Sequence, residues 1–201
     1  IEPSAGRGIY ATLRPLGVGG LEAPVGGGDS GAQQGTRAIM VGGDDKTWEE
    51  VRPILEVMGK AVSHVGGPGS GQVAKAANQI MVAAQMVAMS ELLIFAQKAG
   101  ADPRRVVEAI KGGAAQCWTL DVKPQRLFAG NREPGFRSAL QAKDLNIIME
   151  TAREYGLSLP SVALDAQLYA ALCAMDLGEL DNSGIISVIE TLNNEDLRID
   201  K

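Results

Sequence analysis

Lys75, Asn78 and Gln79 stand three and four residues apart, a spacing that puts their side chains on one face of a helix. A lysine with two carboxamides beside it can give a proton to a substrate oxygen, or take one, while the amides orient the molecule. The same three residues also suit the solvated first turn of an ordinary helix, so composition alone leaves both readings open. A second cluster lies upstream, in Ala23-Pro24-Val25-Gly26-Gly27-Gly28-Asp29. Successive glycines there expose backbone N–H groups that could form a concave site for a carboxylate. Glycine-rich hairpin loops show the same composition with no ligand at all.

A third run, Gly69-Ser70-Gly71-Gln72-Val73-Ala74, follows a predicted strand and opens a helix, as a dinucleotide-binding fingerprint does, with Glu91 at about the right distance on. That fingerprint requires a second strand before the acidic residue, whereas the helical pattern here continues through Ala99. The glycines are better explained as letting a long helix begin close to another backbone, which delivers Lys75, Asn78 and Gln79 to one place. A phosphate loop of the Walker type fails because Gln72-Val73 occupies the Lys-Ser/Thr positions. His64, the single histidine, lies in an apolar strand with no second ligand near it and reads as a packed structural residue; no metal site is expected. Cys117-Trp118 has no base patterned around it and reads as core.

The elements that must carry these residues change character near Gly66-Gly67-Pro68-Gly69-Ser70-Gly71. Before it, β-rich runs at 18–25, 37–41 and 61–65 alternate with turns and one helix at 48–58, an α/β pattern. After it the periodicity is helical, predicting helices at 71–99, 103–111, 138–155, 161–175 and 183–192. Asp102-Pro103 is a start signal, a capping acceptor followed by proline at the first helical position. Two domains follow, 1–68 and 69–201. The first offers too few strands for a self-sufficient open sheet and reads as part of a larger one.

The whole chain has 201 residues, 45% of them hydrophobic, and a formal net charge of −5, which excludes disorder and supplies no basic stripe for nucleic acid or an anionic membrane. The apolar run at 80–96 is about long enough to span a bilayer, but Gln85, Ser90 and Glu91 interrupt it, so it is expected as a buried helix of a soluble core. Two cysteines and one histidine make neither a disulfide framework nor a zinc site, which points to a reducing, cytoplasmic compartment. The start at Ile1-Glu2-Pro3-Ser4 lacks the features of a signal peptide and reads as a cut end.

Three segments, in order along the chain, resemble the β-hydroxyacid dehydrogenase family, which includes 3-hydroxyisobutyrate dehydrogenases. Leu21-Glu22-Ala23-Pro24-Val25-Gly26-Gly27 is similar to its D-x-P-V-S-G-G, Gly69-x-Gly71-x-x-x-Lys75 to its G-x-G-x-x-x-K, and Gly135-Phe136 through Lys143-Asp144-Leu145 to its G-F-x-x-x-L-x-x-K-D-L. Lys75-Ala76-Ala77-Asn78-Gln79 and Gly112-Gly113-Ala114-Ala115-Gln116 look most like its tartronate semialdehyde reductase branch. The resemblance implies a partial Rossmann-type α/β domain followed by an all-α C-terminal domain with a long central helix. It also implies NAD- or NADP-dependent reduction of a small 2-hydroxy-3-oxo acid or the reverse oxidation. Lys75 would be the general acid/base, Gly26, Gly27 and Gly28 would hold the substrate carboxylate, and Asn78 and Gln79 would position the substrate. Lys143 and Phe136 would lie at the nicotinamide end of the cofactor, and the assembly would be a homodimer or homotetramer. Two alternatives remain: a 3-hydroxyisobutyrate dehydrogenase, and a non-catalytic oligomerisation module that kept the helical domain. Gly26 stands where the motif has serine and Glu22 where it has aspartate, and the family's first pyrophosphate loop has no counterpart in the chain.

Overall fold

The computed structural model describes residues 1–199. They divide into two compact units, one of 1–79 with 147–158, the other of 80–146 with 159–201. The first is α/β and the second helical.

In the first unit, helix α1 (Pro3–Leu13) precedes two short strands, β1 (Leu21–Glu22) and β2 (Val25–Gly26). Helix α2 (Gly28–Gln33), strand β3 (Ala38–Gly43), helix α3 (Asp45–Met58) and strand β4 (Ala61–Gly66) follow. β3 is central: β1 and β2 pair antiparallel with it, Leu21 opposite Gly43 and Val25 opposite Ile39, and β4 pairs parallel with it, Ile39 opposite Val62. The strand predicted at 18–25 is therefore two strands, shifted toward the glycines. Pro24 interrupts it because proline has no N–H to give the ladder, although its carbonyl still accepts from the Met40 N–H at 3.0 Å. The parallel β3–β4 pair needs a crossover, and α3 provides it. Asp44 caps α3, its carboxylate accepting from the Thr47 N–H at 2.9 Å and hydroxyl at 2.8 Å. Ile39, Val41 and Leu55 form the buried centre, with Leu21, Val25, Trp48, Val51 and Val62 packed on it.

Helix α4 (Ser70–Lys98) runs through both units. The second unit continues with α5 (Pro103–Ile110), α6 (Trp118–Phe128), α7 (Ser138–Tyr155), α8 (Pro160–Ala174) and α9 (Ile186–Asn193). Asp102 caps α5 as its sequence signal predicts, accepting from the Arg104 N–H at 2.9 Å. Its core draws on α4 (Ala83, Met86, Met89, Leu93), α6 (Leu127, Phe128), α8 (Tyr169, Leu172) and the Ile185–Ile186 turn. α4 is long and apolar enough to cross a membrane, and half of its most apolar stretch is buried within the protein.

Three helices have no counterpart in the sequence reading: α2, over the glycine-rich segment expected as a loop, and α1 and α6. α1 contains Gly6 and Gly8, each costing about 1 kcal/mol against alanine in a helix. α6 contains Pro124 and has no side-chain cap at Cys117, so local propensity argues against it. Burial wins in α6: Thr119, Leu120, Lys123, Pro124, Leu127 and Phe128 are all inside.

Candidate functional site

The start of α4 is seated against the sheet by glycine. A Cβ at Gly71 would lie 2.7 Å from the Met40 carbonyl oxygen and 3.0 Å from the Gly42 nitrogen, and one at Gly42 would lie 2.5 Å from the Gly71 nitrogen. Any side chain at either position would push helix and strand apart, so the backbones touch because both residues are glycine. This is the close approach that the glycine spacing predicted.

Just beyond the first turn, the three polar side chains meet. Lys75 Nζ donates to Gln79 Oε1 at 3.2 Å, and Asn78 Nδ2 donates to the same oxygen at 2.8 Å. Gln79 is 3% exposed, Lys75 half-buried and Asn78 exposed. The buried amide thus acts as a fixed acceptor that holds the ammonium, while Asn78 faces outward beside it. An ammonium aimed in this way can stabilise charge developing on a substrate oxygen and protonate it.

Gly26 ends β2, and Gly27 and Gly28 follow at φ of +105° and +59°, conformations open to glycine. The segment expected as a loop passes directly into α2, with the Gly31 N–H donating to the Gly27 carbonyl at 3.0 Å.

The Gly69–Gly71 turn does not fit a pyrophosphate. The Gly69 N–H donates to the Glu22 carboxylate, so a negative charge already occupies the place a phosphate oxygen would take. Among the sequence-derived candidates, Lys143 and Phe136 remain for a nicotinamide cofactor, and both lie in the second unit. Lys143 is on α7, mostly exposed, with Nζ 2.7 Å from Asp144 Oδ1. Phe136 is half-buried in the turn entering α7.

That turn is organised by a residue the sequence reading missed. Asp181, fully buried, accepts from the backbone N–H groups of Gly135 at 2.9 Å and Phe136 at 3.4 Å through Oδ2. Its Oδ1 takes the Lys123 ammonium at 2.6 Å and the Ser183 hydroxyl at 2.6 Å. Burial pushes the Asp181 carboxyl up, but the Lys123 hydrogen bond and charge, with Ser183 and Gly135, outweigh it and hold the group below its ordinary range. Burial depresses the Lys123 ammonium, and Asp181 opposes that shift. The only signal in the sequence is Asp181-Asn182-Ser183 as a cap; Lys123, 58 residues earlier, carries none.

His64, expected as a packed residue, is held between its neighbours. Its Nε2–H donates to the Gly43 carbonyl at 2.9 Å, tying the end of β4 to β3, and its ring stacks on Trp48 with centroids 5.5 Å apart.

Residues 69–189 match the family model described as NAD-binding of NADP-dependent 3-hydroxyisobutyrate dehydrogenase, and residues 1–67 match the NAD binding domain of 6-phosphogluconate dehydrogenase. The chain is 42% identical over 197 residues to 2-hydroxy-3-oxopropionate reductase of Escherichia coli, an alignment covering 98% of this chain and 68% of that protein. It is 39% identical to a probable 3-hydroxyisobutyrate dehydrogenase-like protein of Arabidopsis thaliana, covering 96% of the chain and 58% of the relative. Among solved structures, the 3-hydroxyisobutyrate dehydrogenase of Mycobacterium tuberculosis with L-serine superposes with a TM-score of 0.87 at 32% identity, over 94% of this chain and 67% of that one. The chain thus spans about two thirds or less of the length of these relatives.

Proposed function

The chain belongs to the 3-hydroxyisobutyrate dehydrogenase family of NAD(P)-binding oxidoreductases, and from that membership we propose that it carries the substrate half of a reductase for small 2-hydroxy-3-oxo acids, tartronate semialdehyde first among them. The observation that carries this reading is the Lys75–Gln79–Asn78 hydrogen-bonded cluster at the head of α4.

The cofactor, NAD or NADP, supplies hydride to the aldehyde carbon when bound. Charge then builds on the carbonyl oxygen, where the Lys75 ammonium stabilises it and delivers the proton that completes the alcohol. In the oxidative direction the neutral amine takes that proton back. Gln79 keeps Lys75 in place throughout, and Asn78, exposed beside it, is free to bind a substrate hydroxyl. The carboxylate rests on backbone N–H groups at Gly26, Gly27 and Gly28. Gly26 brings no hydroxyl to this task, so recognition there depends on the backbone. Lys143 and Phe136 serve the nicotinamide end, held by the turn that Asp181 organises. We take residues 1–68 as the α/β dinucleotide part and 69–201 as the substrate and assembly part.

A second copy of the chain is the partner this reading requires. The exposed residues of α4 include Val73, Ala77, Met81, Ala88 and Phe95, which fall within about 80° of arc at 100° per residue, an arc that also carries one charge, the exposed Glu91. An apolar stripe of that length is a helix-pairing surface. Both cysteines are free thiols, in keeping with a reducing compartment such as the cytoplasm.

The test is steady-state kinetics of the full-length protein with NADH and NADPH. The expected kcat/KM for tartronate semialdehyde is at least about tenfold above that for methylmalonate semialdehyde, because one methylene or hydroxyl misplaced in such a pocket shifts selectivity by roughly that much or more. The opposite preference would assign a 3-hydroxyisobutyrate dehydrogenase, and absence of turnover with either would point to a non-catalytic module.

A further inference from the structure

Glu22 lies outside the groups that would touch substrate, yet the start of α4 is built around it. Its Oε1 accepts the Gly69 N–H. A Cβ at Gly42 would lie 2.8 Å from that same Oε1, and one at Gly6 would lie 3.0 Å from Oε2. A Cβ at Gly71 would lie 3.2 Å from the Glu22 carbonyl oxygen. Gly6 of α1 and Gly42 of β3 therefore make room for the Glu22 carboxylate and Gly71 of α4 for its backbone carbonyl, while the turn glycine Gly69 holds the carboxylate through its N–H.

Keeping it there is costly. Oε2 is buried with no hydrogen-bond partner among the described residues, and burial of an incompletely bonded carboxylate opposes folding. The carboxylate borders a cavity of about 120 Å3 walled by Ile9, Tyr10, Leu13, Leu21 and Pro68, none of them charged. Stability does not explain an acid in this place. Its remaining contact, Gly69, sits at φ +92° immediately before the helix that carries Lys75. Lys75 lies four residues past Gly71, about 6 Å along the axis, and a helix moves as a rigid element over that distance.

We propose that Glu22 is a positioning residue for Lys75: its carboxylate pins the Gly69 turn to β1 and so fixes where the first turns of α4, and the ammonium they carry, stand relative to the substrate glycines. The proposal rests on Lys75 as the acid/base group, and its test separates the two. The full-length protein is measured as wild type, Glu22→Ala, Lys75→Ala and the double variant, with Glu22→Gln as the conservative replacement. Glu22→Ala lowers kcat about 10- to 100-fold, the scale of a displacement near 1 Å at a reacting group, with the cofactor KM within about twofold of wild type. Glu22→Gln keeps an acceptor of the same length and recovers kcat to within about fivefold of wild type. In the Lys75→Ala background, Glu22→Ala costs less than about twofold more, because its effect passes through the lysine.

A wild-type kcat in Glu22→Ala, or the same loss with and without Lys75, overturns the proposal. Full turnover in Lys75→Ala would instead overturn the acid/base reading, on a separate arm. Should Glu22→Ala fail to fold, Glu22→Met, of similar length but without an acceptor oxygen, takes its place with the same expected values.

Discussion

The polar residues of the candidate site and its supports differ in how far apart in sequence their partners lie, and this decides which of them could be read in advance. Lys75, Asn78 and Gln79 were readable because helical spacing of three and four is local; that the Gln79 oxygen would be the shared acceptor was not, since nothing in the spacing says which of the two amides is buried. The Lys123–Asp181 pair joins a helix to a turn 58 residues away and could not be foreseen. Lys123→Met removes the nearer of two cations from buried Asp181, leaving Arg126 at 3.7 Å, and is expected to destabilise the protein by up to about 3–5 kcal/mol in urea unfolding at pH 7. The pH dependence has a definite sign. Asp181 is held below its ordinary range in the folded state, so its stabilisation is complete above its unfolded value of about 4 and is lost as pH falls through the lower folded value. Lys123→Met should therefore lose less stability than wild type between pH 5 and pH 3, and equal acid sensitivity would contradict the pairing.

At the level of elements, the glycines around α4 were the most informative signal. Gly69-Ser70-Gly71 predicted a close backbone approach in place of a phosphate loop, and the seat of Gly71 against Met40 and Gly42 is that approach. Where local propensity and packing disagree, the sequence misled: Pro124 and an uncapped start hid α6, which six buried residues hold together, and two glycines hid α1. The strand predicted at 18–25 is broken in its interior at Ala23-Pro24 into two short strands and does not include 18–20. The long helix was expected to be apolar on nearly every side, and it is: one face supplies the core, while Met81 and Phe95 stay 58% and 73% exposed on another. Phe95→Glu puts a charge on the most exposed large apolar residue of the outer stripe, at its C-terminal end. In sedimentation equilibrium at micromolar concentration it should shift the full-length protein from dimer or tetramer toward monomer; an unchanged mass would remove this face from the assembly.

For the whole molecule, the α/β unit and the helical unit contribute different things. The small sheet sets the glycine turn and the seat for α4, and the helical core holds α4 along most of its length and, through Asp181, the turn before α7. The matched families, which meet at residues 67 and 69, fall on either side of that seat. Under the proposed function, what the chain brings to an NAD(P)-dependent reaction is a proton donor and a carboxylate cradle, and Lys75 is the residue on which that proposal depends. Steady-state turnover of tartronate semialdehyde by the full-length Lys75→Ala protein, shown to be folded by its circular dichroism, measures the dependence directly. Loss of a positioned acid/base group predicts a kcat lower by about 10²–10⁴ with cofactor affinity little changed, and Lys75→Arg recovering poorly because guanidinium does not release its proton. A lysine that merely solvates the first turns of a helix would leave kcat near wild type and stability within about 0.5 kcal/mol, and that result would contradict Lys75 as the acid/base residue.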